Sequence, residues 1–174
     1  MQKGEFLKRM MTYGLIAATA YVAIALLLFA LGINIYTDLD NSFSTSLPIL
    51  ALGFCLFFSI RHFENISEKK INFGNFLYYS LLIAIFAAII ISSYYTVFVL
   101  KLAPETIDFM FKLLEDLYKS WGIDIQQIDL LKELYKNPVV LYTSNFFSQV
   151  TNIMLLALML AFFNFIFPKP QKKN

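Results

Sequence analysis

The sequence predicts an all-α integral membrane protein, a four-helix bundle with an extracytoplasmic amphipathic helical hairpin between its third and fourth spans. Of its 174 residues, 59% are hydrophobic and only 15% are charged, whereas soluble domains carry about 25% charged residues. The hydrophobic residues lie in long blocks, as crossing a ~30 Å hydrocarbon layer requires. Charge concentrates in residues 101–137, which hold 5 of the 14 basic and 7 of the 12 acidic side chains. We therefore expect a single membrane domain over residues 1–174.

Four apolar stretches are the predicted spans, at about residues 11–36, 45–62, 73–100 and 138–167. The first continues too far to be a cleaved secretory signal, so we expect it to be retained. Within it, Gly14 and Ala18 form a small-xxx-small pair that would let another helix approach closely. The second is the shortest, and its strictly apolar part would give only about 21 Å of helix. An uncharged polar flank or a snorkelling Arg61 would extend it to the length that spans the membrane. Pro48 suits the first turn of this helix.

Residues 101–137 predict two short amphipathic helices that form the external hairpin. Pro104 begins the first helix, and apolar residues then recur at the spacing of one helical face. The candidate partner face on this helix comprises Ile107, Met110, Phe111, Leu114 and Trp121. Gly122 is the predicted stop, Asp124 with Gln127 resembles a capping box, and Asn137 can cap the fourth span. The hairpin either lies on the membrane surface or folds its helices against each other.

The distribution of basic residues predicts the orientation of the chain. The N-terminus, the loop between the second and third spans counted from Arg61, and the C-terminus carry 3 basic residues each, whereas the first loop carries none. The positive-inside rule then places both termini in the cytoplasm and the hairpin outside.

Polar side chains in the fourth span form the other candidate site, a polar stripe of Asn145, Ser148, Gln149 and Asn152. At 100° per residue they fall within about a quarter of the helix circumference. Amides left unpaired in lipid are strongly disfavoured, so the stripe should face protein or water. Two interpretations stay open: hydrogen bonding between helices, or a water-lined site for a small polar ligand.

Several function classes are disfavoured by the composition. Apart from Arg61 at one end, the predicted spans carry no charged residue, which argues against an ion-coupled pump. One cysteine, Cys55, and one histidine, His62, cannot supply a Cys/His zinc site, and Glu115 with Asp116 fits a solvated helix face. We find no nucleophile–base pair or phosphate loop, so we expect neither enzyme activity nor a cofactor. The net charge of +2 gives no reason to expect a nucleic-acid partner.

Four local features together resemble a known family. They are Phe57–Arg61 closing the second span, Ile71–Phe76 opening the third, Tyr94-Tyr95 near its end, and an acidic hairpin before the fourth. In this order, and over nearly the whole chain, they resemble small four-span membrane proteins common in Bacteroidota, known as domain of unknown function 4199. The resemblance implies a bacterial inner-membrane protein without an assigned activity, and it supplies no catalytic residues.

Three functional hypotheses follow. In each of them the chain lies in the lipid bilayer, and its partners are other membrane subunits or further copies of the chain. The leading one is an accessory or scaffold subunit that contacts its partner through the external hairpin. The alternative is a small homo-oligomeric channel or transporter built around the polar stripe. A third is a surface-lying hairpin that senses lipid packing.

Overall fold

The computed structural model describes residues 3–38, 42–67, 71–121 and 126–166, and every regular element among them is helical. The helices are α1 (Lys3–Ala30), α2 (Ser42–Ser67), α3 (Phe73–Val97), α4 (Glu105–Ser120), α5 (Gln126–Tyr135) and α6 (Pro138–Ile166). A five-residue π-helix, Phe98–Leu102, continues α3 directly. Four of these helical segments are long and apolar enough to cross a membrane, which indicates a multi-pass membrane protein. The predicted fold class, an all-α bundle of four span-length helices, is confirmed.

Helix α1 ends at Ala30, although the hydrophobic pattern placed the end of the first span near residue 36. The reason is Gly32, whose φ of +85° belongs to the left-handed region that glycine adopts readily. The Gly32 N–H donates to the Phe29 carbonyl, and the Ile33 N–H donates to the Leu28 carbonyl, both at 2.9 Å. This is the Schellman motif, which satisfies the last carbonyls of a helix and stops it.

Helix α2 is longer at both ends than the predicted span 45–62. Because it begins at Ser42, Pro48 lies in its second turn rather than its first, with its ring buried in the bundle. At the other end the helix continues through the charged residues expected to form a loop. There Arg61 Nη1 donates to Glu64 Oε2 at 2.7 Å, and Glu64 Oε1 accepts the Ile71 N–H at 3.2 Å.

The first hairpin helix, α4, and the fourth span, α6, begin where the sequence predicts. Pro104 is the N-cap of α4, and Asn137 Oδ1 accepts the Val139 N–H at 2.9 Å at the start of α6. Both of these predictions are confirmed. The predicted stop at Gly122 and the capping box that begins at Asp124 lie outside the described residues.

Helix α3 is the centre of the bundle, because α1 and α6 both pack extensively on it while α2 packs mainly on α1. The α1–α3 contact is very close at Gly14. A Cβ added there would lie 2.6 Å from the Phe86 Cβ and 3.0 Å from the Ile83 carbonyl oxygen. The prediction that another helix approaches closely is confirmed at Gly14, where that helix is α3, and Ala18 is buried as well.

A second apolar core, separate from the bundle core, lies where the hairpin meets the spans. We call it the hairpin cluster. Its buried members are Tyr95, Phe98, Val99, Ala103, Ile107, Phe111, Ile128 and Leu141. The π-turn supplies two of them in succession, Phe98 and Val99, which are 1% and 0% exposed. The Ala103 N–H donates to the Phe98 carbonyl, five residues earlier, at 2.9 Å. This is the hydrogen bond of a π-turn, which is one residue wider than an α-helical turn.

Candidate functional site

The predicted partner face of α4 is turned mostly toward the protein itself. Ile107 and Phe111 are only 7% and 5% exposed inside the hairpin cluster, and Met110 packs beside them. The Phe111 ring meets the Tyr135 ring edge-on at 5.5 Å. The prediction that these side chains anchor a partner is therefore corrected: the nearest apolar surface that can cover them is the end of α3 and the neighbouring α5. Of the predicted face, Leu114 and Trp121 stay exposed.

Hydrogen bonds hold the docked hairpin in register with the bundle. Asn34, in the loop after α1, donates from Nδ2 to Thr106 Oγ1 at 3.2 Å, while its Oδ1 accepts the Tyr36 N–H at 3.0 Å. On the other side, the Tyr135 and Ser144 hydroxyls are hydrogen-bonded at 2.7 Å. The two helices are thus folded against each other and onto the bundle. A hairpin that folds only on lipid is disfavoured, because its inner face is already covered by protein.

Charged side chains on the hairpin pair with one another. Lys132 Nζ lies 2.7 Å from Asp108 Oδ1 and joins α5 to α4. The hydrogen bond from Lys132, followed by its positive charge, holds the pKa of Asp108 below its ordinary value. Along α4, Lys119 lies 2.6 Å from Glu115 and in the same way lowers the pKa of that carboxyl. Across the described ranges, no group of three or more His, Cys, Asp or Glu residues is placed to hold a metal ion.

The outward side of α4 carries an exposed apolar strip that we call the outer ridge, made of Leu113, Leu117 and Trp121. These side chains are 44%, 43% and 64% exposed, and their spacing of four residues places them along one line of the helix. Sequence reasoning included Trp121 but missed Leu113. The available signal was the width of the apolar face of α4. Seen down the helix axis, the apolar side chains extend from the direction of Ile107 round to that of Leu113, and packing on one side cannot cover so wide a face.

The structure divides the predicted polar stripe of α6. Asn145 Oδ1 accepts a hydrogen bond from the Ser92 hydroxyl of α3 at 3.1 Å, so it serves contact between helices. Ser148 and Asn152 are exposed, and Gln149 is half-buried. Within the described part of the chain, no hydrogen bond reaches the side chains of these three residues. We call them the unpaired stripe.

His62 lies at the other end of the bundle, where its ring meets the Tyr13 ring edge-on at 6.1 Å. Both line an open cleft of about 480 Å³ between α1 and α2, together with Lys8 and Arg9. Arg9 is paired with Glu5 at 2.8 Å. This surrounding is that of a polar side chain at the edge of an apolar span.

No family model matches the chain, and no curated protein or solved structure matches it either. The family resemblance therefore stays a prediction. Among the described residues, two exposed surfaces carry the functional proposals: the outer ridge on the hairpin and the unpaired stripe on α6.

Proposed function

We propose that the chain is an accessory or scaffold subunit of a membrane complex, without enzymatic activity, and that the outer ridge of its hairpin is the contact for the partner. It would reside in the bacterial cytoplasmic membrane with both termini in the cytoplasm, as the distribution of basic residues predicts. The observation that carries the proposal is the docked hairpin, which is held on the bundle by the hairpin cluster while Leu113, Leu117 and Trp121 point outward.

A docked hairpin suits binding because it is already ordered. Association loses free energy when loops and side chains must be fixed, and a scaffold that fixes them in advance avoids part of that loss. Tryptophan is also enriched among the residues that dominate binding energy at protein interfaces. Trp121 is the most exposed of the three ridge residues, at 64%.

The test is purification from the native membrane in mild detergent, followed by the mass of the intact assembly. We expect a second polypeptide in fixed ratio with the wild-type chain, and its loss in Leu117→Asp and Trp121→Asp. The matched control is Lys112→Glu, an exposed change of charge on the same helix but off the ridge. A partner that stays bound to both ridge variants, or an assembly that contains only this chain, contradicts the proposal.

The alternative function is a small homo-oligomeric channel or transporter, and one observation favours it. Ser148 and Asn152 face away from their own bundle, so several copies could enclose a polar path that a single copy lacks. Replacing Gln149 and Asn152 by Leu should then abolish flux of a small polar solute into liposomes. Asn145 is left intact in this test, since its hydrogen bond to Ser92 joins α6 to α3 within one protomer. Flux that is unchanged removes this alternative.

A further inference from the structure

Helix α6 is covered by the rest of the protein far less than the other spans. In its most apolar stretch only 17% of residues are buried, against 50% in α3. Apolar side chains that face lipid need no further explanation, because lipid tails are as apolar as leucine. The unpaired stripe does need one, since its side chains lie within a span and two of them, Ser148 and Asn152, are exposed.

The exposed side of α6 also has the spacing of a helix-pairing seam. Its members, which we call the α6 seam, are Ser148, Asn152, Leu155, Met159 and Phe162, separated alternately by four and three residues. Leu155, Met159 and Phe162 are 56%, 60% and 59% exposed, and the two polar members are exposed as well. A 4-3-4-3 spacing is that of the a and d positions in left-handed helix pairs, which is also the common crossing of membrane helices.

We propose that the α6 seam pairs with the α6 seam of a second copy of this chain, with the two helices parallel and in register. Copies inserted into a membrane in the same orientation are related by an axis along the membrane normal, so each seam residue meets its own counterpart. A primary amide is suited to this, because it both donates and accepts hydrogen bonds. Asn152 of each copy can therefore bond Asn152 of the other. One asparagine in an otherwise apolar seam is the device that fixes register in parallel coiled coils. This pairing uses a different surface from the outer ridge, so it does not depend on the proposed function.

Cysteine cross-linking in native membranes tests the seam directly. The only native cysteine is removed by Cys55→Ala, and cysteines are introduced singly as Ser148→Cys, Leu155→Cys and Leu158→Cys. A disulfide forms only where the two Cα atoms come within about 4.4–6.8 Å of each other. We expect covalent dimers at positions 148 and 155 on oxidation with a copper catalyst. Leu158 is the control, because it is 46% exposed but lies about 120° around the helix from Asn152.

A second variant tests the amide itself. Asn152→Leu is placed in the Leu155→Cys background, and the association constant is taken from the dimer fraction over a dilution series in lipid. We expect association to weaken about 3- to 30-fold, the range for one hydrogen-bonded contact between membrane helices. Thr151→Leu is the matched control, because the Thr151 hydroxyl already bonds the Phe147 carbonyl of its own helix at 2.9 Å.

The outcomes separate the possibilities clearly. Dimers at 148 and 155 but not at 158, weakened by Asn152→Leu and not by Thr151→Leu, support the pairing. Equal cross-linking at all three positions indicates random collision and overturns it, as does the absence of dimers at 148 and 155. Cross-links only between unlike positions, in mixtures of chains whose single cysteines differ, also overturn it, because they are incompatible with a parallel pair in register. Cross-linking that persists in Trp121→Asp would show that pairing of the α6 seam does not require the partner proposed to bind the outer ridge.

The cysteine-free parent is first checked by size-exclusion chromatography, and Cys55→Ser replaces it if its elution differs from wild type.

Discussion

Gly14→Ala probes the close contact between α1 and α3. The new methyl group would lie 2.6 Å from the Phe86 Cβ, 3.0 Å from the Ile83 carbonyl oxygen and 3.2 Å from the Ala87 nitrogen. Two of these atoms belong to the backbone of α3 and the third is the first side-chain atom of Phe86. None can swing aside by a rotamer change, so α1 and α3 must separate to admit the methyl group.

The size of the effect follows from two opposing contributions. Overpacking of this kind costs about 1–3 kcal/mol, whereas Ala is favoured over Gly in a helix interior by about 1 kcal/mol. Gly53→Ala gains the second contribution without most of the first, because the three nearest atoms to its Cβ all belong to the flexible Leu156 side chain, with Cδ2 nearest at 3.1 Å. The difference between the two variants should therefore be about 1–3 kcal/mol, with Gly14→Ala the less stable. For a chain of this size that corresponds to a gap of about 2–12 °C in Tm.

The assay is the loss of the folded size-exclusion peak after stepwise heating in one mild detergent, run in parallel for both variants and for Gly4→Ala. Nothing lies within 4 Å of a Cβ at Gly4, so that variant should melt close to wild type. If Gly14→Ala melts at or above Gly53→Ala, the backbone contact between α1 and α3 is not the constraint described above, and the reasoning fails.

Three further predictions concern the docked hairpin, each read out as proteolysis of the hairpin in protein whose bundle stays folded. Phe111→Ala should undock the hairpin, since truncating a buried Phe costs about 3–5 kcal/mol, and unchanged protection would contradict the hairpin cluster. Tyr135→Phe loses only the hydrogen bond to Ser144, so a smaller destabilisation of about 0.5–1.5 kcal/mol is expected, and an effect as large as that of Phe111→Ala would refute it. The pKa of Asp108 is lowered in the folded state, so its pairing with Lys132 stabilises docking above the ordinary pKa of 3.8 and is lost as the pH falls through the lower folded value. Asp108→Asn should abolish that acid-dependent part of the opening, whereas an identical pH profile in the variant would show that another group is responsible.

The number and type of the long helices could be predicted from the sequence because uncharged runs of span length have few stable alternatives. The end of α1 could not be placed by hydrophobicity, since the apolar residues continue past the stop at Gly32. The glycine signal was present, but Ile33 and Ile35 beside it outweighed it in the hydrophobic pattern.

The candidate sites were predicted less well, for a physical reason that differs between them. Helical spacing correctly identified an apolar face on α4, but spacing does not determine whether the protein itself or a partner covers that face. On α6 the buried residues change sides along the helix: Leu141 and Ile153 are both buried, although they lie about 120° apart around the axis. Residues that share one face of α6 therefore contact the bundle at Asn145 and are exposed at Asn152. The position along α6 at which this face leaves the bundle depends on how α3 crosses α6, which the helical spacing does not reveal.

The central position of α3 has a consequence for how the bundle is built during synthesis. Helix α2 packs mainly on α1, α3 packs on α1, and α6 packs on α3. Each helix that enters the membrane after α1 thus finds a helix to pack on already inserted, since chains emerge and assemble from the N-terminus. The most extensive contact, that of α3 with α6, forms last. Helix α6 arrives after α1, α2 and α3, so its seam becomes available for pairing only when those three helices are already inserted.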